Sequence, residues 1–139
     1  MLSETGGAMP HLKIEYSNGL VDATEVRPLC DGLHKDMVAS DVFPTAGIRV
    51  RAFRADYALV ADGIAQNQFV AMTLTVGSGR STDVLCAEGD ILFATAQSFL
   101  AIRLSEPHFA LSLEIKQSNP ELSWKDTPIH ARLSGVSQG

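Results

Sequence analysis

Leu12, Ile14 and Tyr16 alternate with polar residues over His11–Tyr16, the period of a short strand. Ser17-Asn18-Gly19 signals a turn. Val26, Leu29, Cys30, Leu33 and Met37 then recur as a helical stripe. Pro28 is tolerated only in a first turn, so this helix should begin just before it. Ile48–Arg54 alternates strictly and predicts a second strand. Asp62-Gly63 is a turn, and the stretch around it either extends the strand or folds back as a hairpin. Gln68–Val76 is rich in β-formers and reads as a buried strand. Gly77-Ser78-Gly79-Arg80 breaks the pattern, and Ser81 is placed to cap a helix reaching about Leu104. Asp83 in the first turn complements the helix dipole. The expected core positions of that helix are Val84, Leu85, Ile91, Leu92, Phe99 and Ile102. Phe109–Ile115 predicts a last strand.

The order is strand–helix–strand twice over. A βαβ crossover is right-handed and places its two strands parallel. The expected fold is therefore α/β (α+β): tandem βαβ units forming one four-stranded sheet with two helices on one face. The other sheet face is left bare, and apolar residues on it predict burial by self-association. Residues 1–9 read as a disordered leader, 10–133 as a single domain and 134–139 as a frayed tail. Trp124, Ile129 and Leu133 in the otherwise polar segment after the last strand predict that this segment docks.

Composition narrows the function classes. A chain of 139 residues is one domain. The net charge of −5 argues against nucleic-acid binding, which requires a basic surface. No run approaches the about 20 apolar residues of a membrane span, and no signal peptide is visible. The cytoplasm is the default compartment. Cys30 and Cys86 are expected to be small buried hydrophobes. No Cys/His cluster has metal-ligand spacing, so no metal is expected.

The candidate chemistry begins at Met9-Pro10. Read alone, Pro10 is a strand-initiating proline. If the chain begins at Pro10, its nitrogen is a secondary amine. An α-amino group has a reference pKa of about 7.7–8.0, and nearby cations lower it into the range that suits a general base. Bonded to Met9, the same nitrogen is a tertiary amide without useful basicity. Arg49 and Arg51 share one strand face and Arg54 takes the other. Arg80 sits beside a helix N-terminus between small residues, a setting suited to a carboxylate. His11 follows the candidate base and is either a pocket residue or a surface histidine. His34, His108 and His130 suit a helix flank, a loop and tail packing. Gly-Ser-Gly-Arg-Ser lacks the third glycine of a dinucleotide fingerprint.

Met9-Pro10-His11-Leu12, Gly47–Arg51, Ala61-Asp62-Gly63, Phe69–Leu74, Gly77–Ser81, Leu111–Ile115 and Ile129–Leu133 together resemble the 5-carboxymethyl-2-hydroxymuconate Δ-isomerases of the tautomerase superfamily. The resemblance runs in register over residues 9–133. It implies a homotrimer with active sites near subunit contacts and no cofactor. It implies Pro10 as an N-terminal catalytic base, with Arg49 and Arg80 binding a polycarboxylate substrate. The implied reaction converts a 2-hydroxydienoate to its 2-oxo isomer, in homoprotocatechuate catabolism. Two features depart from the family: residues 1–8 precede the proline, and Ala71 stands where relatives often carry histidine. The alternatives are a general enol–keto tautomerase acting on another 2-oxo acid and a non-catalytic trimeric module that binds carboxylates.

Overall fold

The structure, a computed structural model, describes residues 9–138, so the expected leader lies, apart from Met9, outside the described residues. Strand β1 (His11–Ser17) is followed by a π turn (Asp22–Val26) and helix α1 (Arg27–Ala39). A 3-10 turn (Thr45–Gly47) leads into β2 (Arg49–Ala55). After a loop come β3 (Gln68–Val76), α2 (Thr82–Phe99), the short α3 (Ala101–Leu104) and β4 (Phe109–Gln117). Helix α4 (Pro128–Gln138) closes the chain.

The four strands form one mixed sheet in the order β2-β1-β3-β4. β1 pairs parallel with β2, β3 pairs parallel with β4, and the two βαβ units join through the antiparallel β1–β3 pair. β2 and β3 flank β1 on opposite sides, so the chain between them crosses the sheet end instead of turning back as a hairpin. Pro28 falls within the first turn of α1, where its missing N–H breaks no hydrogen bond. Ser81 caps α2 as its sequence suggests, its Oγ accepting from the Val84 N–H at 3.2 Å.

Alternation decides which sheet face is buried. Leu12, Ile14 and Tyr16 of β1 and Val70, Met72, Leu74 and Val76 of β3 pack into the core with Leu29, Leu33 and Met37 of α1 and Leu85, Leu92 and Ala96 of α2. At about 1.5–3 kcal/mol per buried aliphatic side chain, this layer is the main source of stability.

Four expectations are corrected. The opposite face is not apolar: it carries His11, Lys13, Glu15, Arg49, Arg51 and Phe53, because the strict alternation that sends leucines and valines toward the helices leaves polar residues behind. On α2 only Leu85 and Leu92 of the expected core positions are buried. Val84, Ile91 and Phe99 are exposed because one stripe of the helix suffices to cover the sheet, and Ile102 is exposed on α3. Cys86 is exposed as well, and Cys30 is half-buried. In the closing segment, α4 packs against the Thr45–Gly47 turn, yet Trp124 remains 86% exposed and Leu122, Ile129 and Leu133 are uncovered. Among the described residues no helix is long and apolar enough to cross a membrane.

Candidate functional site

Strand direction gathers the candidate residues at one end of the sheet. β1 and β2 begin there, whereas β3 and β4 end there. Pro10 leads into β1, Arg49 opens β2, and Arg80 follows the last residues of β3. Pro10 is fully buried. Its carbonyl accepts from the Arg49 N–H at 3.0 Å, which carries the β1–β2 pairing past the formal start of the strand.

Both arginines are steered by backbone carbonyls. Arg49 Nη1 donates to the carbonyls of Ala46 and Ile48, at 3.1 and 3.0 Å, so the turn ahead of β2 folds the guanidinium toward the sheet end. Arg80 Nη2 donates to the Val42 carbonyl at 2.6 Å and is half-buried. Gly79 just before it has φ 108°, in the left-handed region that favours glycine. This conformation lets the chain leave β3, present Arg80 and enter the capped N-terminus of α2 within a few residues. Arg54 lies apart, its Nη1 at 3.9 Å from Asp22 Oδ2 near the far end of β2.

His11 stands in register between Arg49 and Thr75 on the open face. Its Nε2 is buried without a hydrogen-bond partner among the described residues. Burial, and then the charges of Arg51, Arg49 and Lys125, hold the imidazole below its usual titration range. The ring is therefore neutral at pH 7.

Lys125 was not singled out from sequence. It reaches this end through the chain that follows β4, and a lone surface lysine in a polar segment carries no local signal of that. The carbonyls of Val42, Ala46 and Ile48 were also unmarked, since any residue type can supply them. His34 is exposed on α1, His108 sits in the turn before β4, and His130 lies on α4 with Nε2 3.4 Å from Ser134 Oγ. Ala71 pairs with Glu15, four residues along β1 from His11. At about 3.3 Å per residue it is some ~13 Å from the Pro10 end, so its substitution for histidine does not touch Pro10 within one subunit.

A cavity of about 230 Å³ opens at the opposite end, lined by Ser17, Asn18, Leu59, Ile64, Asn67 and Gln68. Its amide side chains are bound internally: Asn18 to the Asp56 carbonyl, Asn67 to the Val60 carbonyl and Asp62, Gln68 to the Ala65 carbonyl. The cationic, partly buried chemistry lies at the Pro10 end.

Residues 10–133 match the family model for 5-carboxymethyl-2-hydroxymuconate isomerase. The 5-carboxymethyl-2-hydroxymuconate Delta-isomerase of Escherichia coli is 32% identical over 123 residues, spanning 88% of this chain and 98% of that protein. The crystal structure of a 5-carboxymethyl-2-hydroxymuconate isomerase from Deinococcus radiodurans R1 superposes with a TM-score of 0.84 at 35% identity, covering 91% of this chain and 96% of that one. A fused 4-OT, a symmetric trimer, shares the fold alone, with a TM-score of 0.61 at 15% identity over 84% of this chain and 94% of that one.

Proposed function

The chain belongs to the 5-carboxymethyl-2-hydroxymuconate isomerase family, and on that premise we propose that the Pro10 end of the sheet isomerises a 2-hydroxydienoate polycarboxylate to its 2-oxo form. The observation that carries this reading is a coincidence of place. The family match starts at residue 10. That residue is a buried proline bonded through its carbonyl to one candidate arginine, with the other at the same sheet end.

The chemistry follows from the groups assembled. With Pro10 as the first residue, its secondary amine takes the proton from the substrate's 2-hydroxyl. The electron pair moves through the conjugated diene, and the protonated amine returns a proton to a distal carbon, leaving a 2-oxo group. Protons and electrons balance without a cofactor. Arg49 and Arg80 hold the substrate carboxylates and stabilise the dienolate as its charge develops, an effect commonly worth several kcal/mol. Neutral His11 lines the same end as a hydrogen-bonding group for the substrate. An amine near neutrality serves as base and then as acid without large perturbation, which a lysine at about 10.4 does not.

The working unit in this reading is a homotrimer. Trp124, Leu122, Ile129 and Leu133 leave an apolar surface after β4 that a neighbouring subunit covers. The fused 4-OT of like fold is a symmetric trimer.

The test is to prepare protein beginning at Pro10 and protein retaining residues 1–9. Each is assayed by ultraviolet absorbance against a panel of 2-hydroxydienoates, with mass measured by light scattering. Turnover confined to the Pro10 form, in a particle of three chains, supports the reading. Equal turnover by both forms overturns the amine as base.

A further inference from the structure

Ser40 takes no part in the reaction as described above. It follows α1 in an extended conformation, φ −78° and ψ 139°, and its backbone N–H donates to the Met37 carbonyl at 3.2 Å. Met37 is fully buried, so this position is fixed against the core. Two residues on, the Val42 N–H donates to Ser40 Oγ at 3.0 Å. A serine hydroxyl that accepts from the backbone two residues ahead closes a small turn of its own. The end of α1 is closed by the Ser40 N–H, which an alanine would also supply. What the hydroxyl adds is the turn at Val42.

Val42 is therefore held from both sides. Ser40 holds its N–H. Its carbonyl belongs to the peptide shared with Phe43, whose ring is buried among the core side chains. Phe43 precedes Pro44, and the residue before a proline favours extended backbone. One peptide plane beside Val42 is thus set by a hydroxyl and the other by a buried ring. Arg80 Nη2 donates to the carbonyl so placed, at 2.6 Å. A guanidinium is a rigid plane, so a bond at Nη2 settles the direction in which the whole fork faces. The same loop runs on to the Ala46 and Ile48 carbonyls that hold Arg49. There the buried side chains of Ala46 and Ile48 fix the backbone, beyond the reach of Ser40. The hydroxyl therefore bears on Arg80 and not on Arg49.

We propose that Ser40 is a positioning residue for the isomerisation: its hydroxyl fixes the Val42 carbonyl, and that carbonyl aims the Arg80 guanidinium at the substrate carboxylate. The proposal rests on the reading of Arg80 as a substrate-binding arginine. An arginine side chain has many rotamers, and holding one of them before substrate arrives removes that cost from binding and from the reacting complex. A backbone carbonyl suits the task because it takes an N–H without bringing a charge that would compete with the substrate.

The experiment has two arms. On the full chain, where the result does not depend on the proline amine, nitrogen NMR follows the Arg80 guanidinium. Rotation about its Cζ–Nη2 bond should be slower in the parent and in Ser40→Thr than in Ser40→Ala. Steady-state kinetics on the Pro10-initiated form supply the second arm. Ser40→Ala should lower kcat/KM about tenfold, since a small misdirection of a binding group is enough for that. Ser40→Thr keeps a hydroxyl on extended backbone that suits a β-branched residue, and should restore activity. In the Arg80→Ala background Ser40→Ala should cost nothing further, because residues acting through one group are not additive. Ser17→Ala removes a hydroxyl that likewise accepts a backbone N–H, that of Phe69 at 2.8 Å, but at the far end of the sheet. It should leave kcat/KM unchanged, which separates lost direction from lost stability. Equal guanidinium rotation in parent and Ser40→Ala overturns the proposal. So does full activity of Ser40→Ala where Arg80→Ala is impaired, or an undiminished loss from Ser40→Ala in the Arg80→Ala background. If Arg80→Ala is itself without effect, the reading of the site fails first and the proposal falls with it.

Discussion

Arg80 Nη2 donates to the carbonyl of Val42 at 2.6 Å, joining the loop before α2 to the loop before β2 across 38 residues of chain. One bond thereby ties together the segments that deliver both candidate arginines, because Val42 leads into the turn whose carbonyls hold Arg49. Arg80→Ala should lower kcat/KM of the Pro10-initiated enzyme by about 10²–10³-fold, the usual cost of removing a donor aimed at a developing anion. Arg80→Lys keeps charge without the planar fork and should recover only part of that. Arg54→Ala, on a half-exposed side chain near the other end of β2, should change kcat/KM by less than about threefold. Steady-state kinetics on the three variants make the comparison, and equal losses in Arg80→Ala and Arg54→Ala would remove the case for a specific clamp.

The proline amine should appear in the pH profile. Only its unprotonated form accepts the hydroxyl proton, so kcat/KM should rise with pH as the amine loses its proton. The midpoint should fall at or below about 7.7–8.0, because the Arg49 cation nearby disfavours the charged amine. Protein that retains residues 1–9 should lack this limb and turn over at least about 10²-fold more slowly. A profile recorded on both forms decides the matter, and the same rising limb in each would exclude Pro10 as its origin.

Glu25 and Arg103 join the turn before α1 to α3 through two contacts of 2.8 Å. Hydrogen bonding from Arg103 holds the Glu25 carboxyl below its ordinary value. A carboxyl depressed in the folded state adds stability above its unfolded pKa and loses it as pH falls through the folded one. Glu25→Gln should therefore destabilise the protein by about 1–2 kcal/mol at pH 7. That difference should shrink as pH falls below the ordinary glutamate value of about 4.3 and on through the depressed folded one. Urea unfolding at pH 7 and pH 3 measures it, and a difference independent of pH would assign the effect to packing.

Ser17 is the buried polar residue at the end of β1, 4% exposed. Its Oγ donates to Gln68 Oε1 at 2.6 Å and accepts from the Phe69 N–H at 2.8 Å. Alanine there takes the side-chain acceptor from the Phe69 N–H, while Gln68 Oε1 keeps the Gly19 N–H at 3.0 Å, and the loss should cost about 1–3 kcal/mol. Ser17→Ala should lower the unfolding midpoint while kcat and KM of the Pro10-initiated enzyme stay unchanged, since this bond lies at the end of the sheet away from Pro10. Thermal unfolding together with kinetics tests both halves of that expectation.

How much of this was legible beforehand depends on the range of the physics involved. Alternation and helical period act between neighbours along the chain. The sequence alone therefore specified four strands, two covering helices, parallel pairing within each βαβ unit, the Ser81 cap, and the placing of Arg49 and Arg51 opposite Arg54. The order β2-β1-β3-β4 is different in kind. It depends on which edges pair once both units bury their apolar faces together, and no local pattern encodes that choice. The antiparallel β1–β3 junction alone brings the end of β3, and with it Arg80, to the start of β1 at Pro10. Only the assembled sheet could decide that Val84, Ile91, Phe99 and Ile102 remain exposed, or that the charge of Lys125 is felt at His11. Side-chain chemistry is written residue by residue, but proximity between distant residues is a property of the packed whole.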